Sequence, residues 1–145
     1  MDIKPKGLTV FSGFMGAGKS TAARNLRTKY PHAILLAYDS VRRMWPGLSA
    51  PAIMAKLIKT ASFWLKLGLP VIIDACNLHP HDRIRWETVA IAHDVEMEWV
   101  AITTPVDECV RRDSQRFEPV GEAAIRHQYL EVDFWKREGD YASTV

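Results

Sequence analysis

The feature that most constrains this chain is a glycine-rich octet, GFMGAGKS, which spans Gly13–Ser20. It follows a short apolar run, Leu8–Ser12, and precedes a stretch with helical spacing, Lys19–Tyr30. The octet satisfies G-x-x-x-x-G-K-[ST] and lies where that pattern requires, between a strand and a helix. Such a loop turns backbone N–H groups around phosphate oxygens at the positive end of a helix. The octet therefore predicts a site for a nucleoside triphosphate.

Residue types within the octet match separate parts of that ligand. Glycines give the backbone the freedom to wrap a phosphate, a lysine supplies a point charge for the β- and γ-phosphates, and a serine hydroxyl can bind Mg²⁺. We therefore expect ATP or another nucleoside triphosphate as the phosphate donor, with Mg²⁺. The predicted nucleotide-binding residues are Gly13, Gly16, Ala17, Gly18, Lys19, Ser20 and Thr21.

Strand and helix patterns alternate along the rest of the chain, which predicts an α/β fold with about four mainly parallel strands between helix layers. We expect the apolar run at 33–38 to be covered on both faces. The further predicted strands are Ala33–Tyr38, Val71–Asp74 and Glu98–Thr103. The further predicted helices are Ser49–Leu67, Pro80–His93, one that starts at Thr104, and Gly121–Val132.

Local patterns in these helices predict their buried faces and their starts. Apolar residues recur every four positions at Ile53, Leu57, Ala61 and Leu65. The segment that begins at Thr104 resembles a capping box with proline in the first turn. The predicted helix Pro80–His93 has apolar positions at Ile84, Trp86, Val89 and Ile91. The predicted helix Gly121–Val132 has Ile125, Tyr129 and Val132 on one face.

Composition excludes several classes of protein. The 145 residues are 48% hydrophobic and 25% charged, with a formal net charge of +2, so the chain is neither disordered nor strongly basic. No apolar stretch approaches the ~18 residues of a membrane helix. Met1–Leu8 is charged and unlike a signal peptide, so we expect a cytoplasmic protein with Cys76 and Cys109 as reduced thiols.

Charged residues follow the second predicted strand, on the side where an acceptor would bind. Asp39 can accept a proton from an attacking hydroxyl, or it can cap the helix that follows. Arg42 suits bidentate recognition of a phosphate, although Arg42 and Arg43 also fit an exposed helix surface. The residues alone leave these alternatives open.

Two further groups favour phosphate chemistry. Asp74 ends the third strand, where an aspartate can orient Mg²⁺, or it is a simple strand-end turn residue. His79 and His81 lack a convincing ligand set and are interpreted as polar loop residues. Arg112 and Arg116, spaced to share one helix face near Arg111, fit a lid that closes over a triphosphate, or a solvated face paired with neighbouring carboxylates.

Together these segments resemble the 5′-kinase domain of the T-even phage polynucleotide kinases, in the P-loop phosphotransferase superfamily. The matching segments are GFMGAGKSTAARNL, YDSVRR, VIIDACNLHPHDRIRWET and ECVRRDSQR, in that order. The resemblance implies one P-loop kinase domain over residues 1–145, with a small helical lid at about 111–121. It also implies a location in the host cytoplasm if the protein is phage-encoded. Because the chain ends at Val145, we expect no phosphatase module like that of the phage enzyme.

The same resemblance implies roles for single residues. Lys19 and Ser20 would bind the donor phosphates and Mg²⁺, and Asp39 would be the general base toward an acceptor 5′-hydroxyl. Arg42 would hold the phosphate on the 3′ side of the acceptor nucleoside. Arg112 and Arg116 would be lid arginines on the donor phosphates.

The leading interpretation is thus an ATP-dependent kinase for the 5′-hydroxyl ends of DNA or RNA, active in nucleic acid repair. Its acceptor partner would be a nucleic acid, with no membrane involved. A small-molecule kinase of the same fold, acting on a sugar, nucleoside or antibiotic, is the alternative. A non-catalytic nucleotide-binding module is a third interpretation, disfavoured because the cradle, base and lid residues are all present.

Overall fold

The computed structural model describes residue 5 and residues 7–137. The predicted absence of a signal peptide and the predicted single domain over 1–145 fall partly on residues 1–4, 6 and 138–145, which lie outside the described residues. The described strands are β1 (Leu8–Ser12), β2 (Ile34–Ala37), β3 (Val71–Asp74) and β4 (Met97–Ala101). The described helices are α1 (Lys19–Lys29), α2 (Tyr38–Met44), α3 (Ala50–Lys66), α4 (Pro80–Ala92), α5 (Val106–Ser114) and α6 (Glu122–Arg137).

The four strands form one parallel sheet in the order β2-β3-β1-β4. Leu8 of β1 lies opposite Val71 of β3 on one side and Met97 of β4 on the other. Because all strands run in the same direction, the loops after β1, β2 and β3 emerge at one edge of the sheet. This is the edge at which open α/β sheets bind ligands.

Helices pack on both faces of this sheet, which confirms the predicted α/β architecture. Successive strand residues point to opposite faces, so Val10 packs with α3 and α4 while Phe11 packs with α1. The four-residue stripe of α3 is buried, as predicted, and Trp86 of α4 is fully buried in the same core cluster. The central strands β1 and β3 therefore have apolar neighbours on both sides.

Three local expectations are wrong. The β2 residues are all half-buried rather than covered on both faces, because β2 is an edge strand. Ile84 and Ile91 are 58% and 79% exposed, since α4 buries the face that carries Trp86 instead. Thr104 does not cap α5: its hydroxyl donates to the Ala17 carbonyl oxygen at 2.7 Å, because the phosphate loop lies next to it.

The last described helix, α6, is longer than predicted and reaches Arg137. Its predicted core residues Ile125 and Val132 are buried, whereas Tyr129 is 44% exposed. Cys76 and Cys109 both carry free thiols. Within residues 7–137, no helix combines the length and the apolar character that a membrane span needs.

Candidate active site

The glycine-rich octet forms a loop between β1 and α1 whose shape depends on two glycines. Gly16 and Gly18 have φ angles of +82° and +101°, the left-handed region that side chains disfavour. A β-carbon at Gly16 would also collide with the Cys109 carbonyl oxygen. Lys19 is 7% exposed, and its Nζ donates to the Phe14 carbonyl oxygen at 2.8 Å, so the ammonium group spans the loop.

This loop fits the phosphates of a nucleoside triphosphate. The N–H groups in the first turn of α1 have no partners within the helix, and they lie beside the buried ammonium group of Lys19. Helix N-termini of this kind favour negative charge. The start of α1 therefore offers both backbone N–H donors and a positive charge to phosphate oxygens.

Ser20 and Asp74 meet at the mouth of this loop. The Ser20 hydroxyl donates to Asp74 Oδ2 at 2.7 Å, although the two residues are 54 positions apart. Among the described residues, no group of three or more His, Cys, Asp and Glu side chains is arranged to hold a metal. A hydroxyl and one carboxylate nevertheless fit Mg²⁺, which takes oxygen ligands and relies on phosphates and water for the rest.

The two histidines after β3 have structural partners instead. His79 Nδ1 accepts the backbone N–H of His81 at 3.1 Å, and the His79 N–H donates to Asp82 Oδ2 at 2.9 Å. Together they form a capping box at the start of α4. This agrees with their interpretation as polar groups of the loop, since Nδ1 of His79 is occupied by a backbone donor.

A buried asparagine connects β3 to the phosphate loop. Asn77, which has a φ of +49° and is 3% exposed, donates from Nδ2 to the Phe11 carbonyl oxygen at 2.7 Å. Its Oδ1 accepts the Trp86 indole N–H at 3.0 Å. The Gly13 N–H donates to the Cys76 carbonyl oxygen at 3.0 Å. These bonds hold the end of β3 beside the start of the loop.

The acceptor side lies on α2. Asp39 is in its first turn, while Ala37 occupies the N-cap position without a side-chain hydrogen bond, so Asp39 does not cap the helix. Asp39 Oδ1 and the Arg42 guanidinium are 3.3 Å apart, and both side chains are 56% exposed. Burial raises the pKa of the neighbouring Tyr38, although the positive charge of Arg42 lowers that pKa in part. Arg43 is exposed and lies outside the cavity described next.

One cavity of about 700 Å³ brings the two sides together. It lies at the carboxyl edge of the sheet, between the phosphate loop, α2, and the starts of α3 and α4. Six of the residues predicted for the site line it: Lys19, Ser20, Asp39, Arg42, Asp74 and Arg116. Donor-side and acceptor-side residues therefore face a common space.

Arg112 does not line that cavity. Its guanidinium donates from one terminal nitrogen to the Ala17 carbonyl oxygen at 3.1 Å and from Nε to Glu108 Oε1 at 3.0 Å. Glu108 also accepts from Arg111, and hydrogen bonds from Arg111 and then Arg112 lower the pKa of its carboxyl to about 2. Here Arg112 is directed to the back of the phosphate loop and to a carboxylate.

Arg116 is not on the same helix face as Arg112, so that spacing prediction is wrong. Helix α5 ends at Ser114, and Arg116 lies in the turn that follows. The buried Asp113 holds this turn by accepting the backbone N–H groups of Val120 and Gly121, each at 2.9 Å. Arg116 is 3.9 Å from Asp113 Oδ1 and reaches the cavity from this turn, within the predicted lid segment.

Gln128 and Arg85 are among the cavity residues that the sequence patterns did not predict. Gln128 of α6 accepts the Met15 N–H through Oε1 at 3.2 Å and donates to Cys76 Sγ at 3.5 Å, which connects α6 to the phosphate loop. Arg85 of α4 also lines the cavity. Neither was predicted as a site residue, because both lie in helices and reach the site only through tertiary packing.

The chain belongs to the AAA domain family, whose model matches residues 8–132. This match includes the phosphate loop, the strand ends and the arginine turn described above. No curated protein matches the sequence significantly. The family assignment therefore comes from the family model alone.

The similar solved structures include kinases with different names. A chain of the Pnkp1/Rnl/Hen1 RNA repair complex matches with a TM-score of 0.72 and 23% identity, over 94% of this chain. This chain spans about half, 47%, of that chain's length. A gluconokinase from Sinorhizobium meliloti matches with a TM-score of 0.65 and 16% identity, covering 90% and 76% of the two chains.

The APS kinase CysC of Mycobacterium tuberculosis, in complex with AMPPNP and APS, has a TM-score of 0.57 and 28% identity, covering 77% of this chain and 71% of its own. These similarities show that the fold is that of the P-loop kinases. The finer resemblance to the phage enzymes stays a prediction.

Proposed function

We propose that this member of the AAA domain family transfers the γ-phosphate of ATP to the 5′-hydroxyl end of a nucleic acid. The observation that carries the proposal is the shared cavity, in which Lys19, Ser20 and Asp74 face the same space as Asp39 and Arg42. A carboxylate beside an arginine, opposite a phosphate cradle, is what transfer to a phosphate-bearing alcohol requires.

The donor side would hold the triphosphate through the loop N–H groups and the Lys19 ammonium group. Ser20 and Asp74 would hold Mg²⁺, which when bound neutralises charge on the phosphates. Arg116 would approach the transferring group from the 115–121 turn. These roles use groups that already lie at the carboxyl edge of the sheet.

On the acceptor side, Asp39 would accept the proton of the 5′-hydroxyl. At the same time the hydroxyl oxygen would attack the γ-phosphorus in line. The bond between the γ-phosphorus and the β–γ bridging oxygen breaks, and ADP leaves. A general base of this kind contributes about 10²–10⁴-fold to the rate. Asp39 has room for this because its side chain is 56% exposed and does not cap the helix.

Arg42 would bind the phosphate on the 3′ side of the acceptor nucleoside. Its present pair with Asp39 is exposed and has a single contact of 3.3 Å. Exposed pairs of this type contribute about 0.2–1 kcal/mol, whereas a hydrogen bond to a charged group contributes about 1.5–3 kcal/mol. An acceptor phosphate can therefore displace Asp39 from Arg42 and leave the carboxylate available to the hydroxyl.

A small-molecule kinase is the second candidate. The observation in its favour is that the identity with the APS kinase, 28%, exceeds that with the RNA repair chain, 23%. The same carboxylate could accept a proton from any alcohol that fits the cavity. The two candidates differ in whether the acceptor is the 5′-hydroxyl end of a nucleic acid or a small-molecule alcohol.

Transfer of labelled γ-phosphate from each nucleoside triphosphate to a panel of acceptors distinguishes them. The panel contains 5′-hydroxyl DNA, 5′-hydroxyl RNA, free nucleosides and sugars, all at the same concentration. We expect transfer to the polynucleotides to exceed transfer to every small acceptor. Efficient transfer to a sugar or a free nucleoside, with none to polynucleotides, would establish the second candidate instead.

Substitutions at Arg42 test the same proposal with smaller acceptors. We expect a nucleoside 3′-phosphate to have at least a tenfold higher kcat/KM than the bare nucleoside, in line with one charge-assisted bond. Arg42→Ala should remove that preference and Arg42→Lys should restore part of it, because lysine lacks the planar fork. Arg43→Ala is the matched control, and a preference that survives Arg42→Ala would assign the contact to another residue.

A further inference from the structure

A third arginine, in addition to Arg42 and Arg116, lines the cavity from α4. Arg85 is 43% exposed, and its hydrogen bond among the described residues is a single 3.4 Å contact to Asp82 Oδ1. A guanidinium carries five N–H donors, so this contact uses a small part of its capacity. Asp82 is itself occupied, because its other oxygen accepts the His79 N–H at 2.9 Å. Most of the Arg85 N–H donors are therefore available at the cavity, which its partner Asp82 also lines.

The other arginine of the same helix has different surroundings. Arg83 Nε lies 3.2 Å from Glu87 Oε1, and its guanidinium lies over the Trp99 ring, 5.4 Å from the centroid. Arg83 does not line the cavity. The two arginines of α4 thus divide into one that packs on β4 and one that faces the cavity.

Arg85 repeats the arrangement of Arg42. Each arginine follows an aspartate by three positions on a helix, each pair has one contact, of 3.4 Å and 3.3 Å, and each lines the same cavity. The pairs lie on different helices, α4 and α2, that follow the neighbouring strands β3 and β2. The cavity consequently has two separate places where an anionic group can bind beyond the donor phosphates.

Arg85 lines the cavity together with the start of α3. The cavity continues between the starts of α3 and α4, where Pro51 and Met54 of α3 line it together with Arg85. Arg85 is five residues after Pro80, so it lies about 7 Å along α4 from the start of that helix. Arg42 and Arg85 thus offer two guanidinium groups, on two different helices, to one extended ligand in this cavity.

We propose that Arg85 binds the second phosphate of the acceptor strand, the one that follows the phosphate held by Arg42. The acceptor class that this site fits is then a 5′-hydroxyl oligonucleotide with at least two phosphates, rather than a nucleoside with a single 3′-phosphate. This inference rests on the proposed function, because it assigns the path that the bound acceptor strand follows away from the reacting 5′-hydroxyl. Phosphate contacts of this kind fix position and are independent of sequence.

Two acceptors that differ by one phosphate test the inference. One is a nucleoside 3′-phosphate and the other a dinucleotide 3′-phosphate, both with a free 5′-hydroxyl. We expect Arg85→Ala to lower kcat/KM for the dinucleotide about tenfold. The kcat/KM for the single nucleotide should change less than about twofold. The slope of log kcat/KM against log salt for the dinucleotide should become shallower by about 0.7. Arg85→Lys should retain the slope, and Arg83→Ala is the matched control.

The outcomes separate this inference from the proposed function. One contrary outcome is that Arg85→Ala lowers kcat/KM equally for both acceptors. The other is that it lowers kcat/KM for neither acceptor although the wild type phosphorylates both. In either case Arg85 does not bind a second phosphate, and the kinase assignment stands. If the wild type phosphorylates neither acceptor but does phosphorylate a sugar, the proposed function fails and this inference fails with it. Should Arg85→Ala not fold, Arg85→Gln keeps much of the side chain and makes the same comparison.

Discussion

The two sides of the cavity are built in different ways. On the donor side, Lys19 is 7% exposed and Ser20 bonds to Asp74 across 54 positions of sequence. On the acceptor side, Asp39 and Arg42 are three positions apart, on one short helix, and are each 56% exposed. The donor side depends on the whole sheet, whereas the acceptor side depends on one helical turn.

This difference suggests how one fold can accommodate many acceptors. A change on α2 alters an exposed pair and leaves the core intact, while a change in the phosphate loop disturbs contacts with β3 and α5. Solved structures with this fold include a gluconokinase and an APS kinase, whose names denote different acceptors. Exposed surface positions tolerate substitution, as loops and helix ends commonly do.

The largest effect is expected on the donor side. Lys19→Ala should abolish transfer to every acceptor, because the loop loses the ammonium group that neutralises the donor phosphates. Ser20→Ala should do the same at saturating Mg²⁺. Labelled-phosphate transfer and thermal unfolding, measured together, check that the folded protein is inactive. Lys29→Ala, at the other end of α1, is the control, and near-normal turnover of Lys19→Ala would contradict the donor assignment.

Asp39→Asn should produce the next largest effect, and it should affect the acceptor side of the cavity without affecting ATP binding on the donor side. The amide keeps the shape of the side chain but cannot take the proton, so single-turnover transfer should fall about 10²–10⁴-fold. Affinity for ATP should stay nearly unchanged, because Asp39 belongs to the acceptor helix. A loss of ATP affinity with unchanged single-turnover transfer would place Asp39 on the donor side instead.

Arg116→Ala should impair transfer by about 10²-fold, the effect of losing one group that stabilises transition-state charge. Arg111→Ala should change the rate little, because Arg111 is exposed and bonds to Glu108 outside the cavity. The measurement is kcat for both variants at saturating ATP and acceptor. Equal and small effects at the two positions would show that the arginines form a solvated surface.

Local patterns in the sequence predicted those features that depend on neighbouring residues along the chain. The bounds of β1 and β3 and the buried stripe of α3 are confirmed, because an apolar run and a four-residue period report burial directly. Thr104 was predicted wrongly as a cap, because its partner, Ala17, is 87 positions away. The shared helix face of Arg112 and Arg116 was also wrong, because α5 ends between them.

The candidate site was predictable in part for the same reason. The phosphate loop and the strand-end aspartates were recognisable because each lies in a short, regular context. Gln128 and Arg85 were not recognisable, since nothing near either residue distinguishes it from other residues on the surface of an amphipathic helix. The chemical roles of all these residues stay predictions until the variants are measured.

The smallest predicted effect tests whether the donor side is rigid because of its buried hydrogen bonds. Trp86→Phe removes the indole N–H that donates to Asn77 Oδ1 at 3.0 Å and leaves that oxygen buried without this donor. An unsatisfied buried group costs about 1–3 kcal/mol, and the smaller ring also leaves part of a fully buried site empty, so the free energy of unfolding should fall by at least about 1 kcal/mol. Denaturant unfolding measures it.

Trp45→Phe is the matched control, because Trp45 lies at the end of α2, 44% exposed, with Lys56 over its ring. Its cost should stay below about 0.5 kcal/mol. Trp86→Phe should also weaken ATP binding more than acceptor binding, since Asn77 holds the end of β1 and not α2. If both variants cost the same, or if Trp86→Phe weakens acceptor binding alone, the buried bonds of Asn77 do not account for the difference between the two sides.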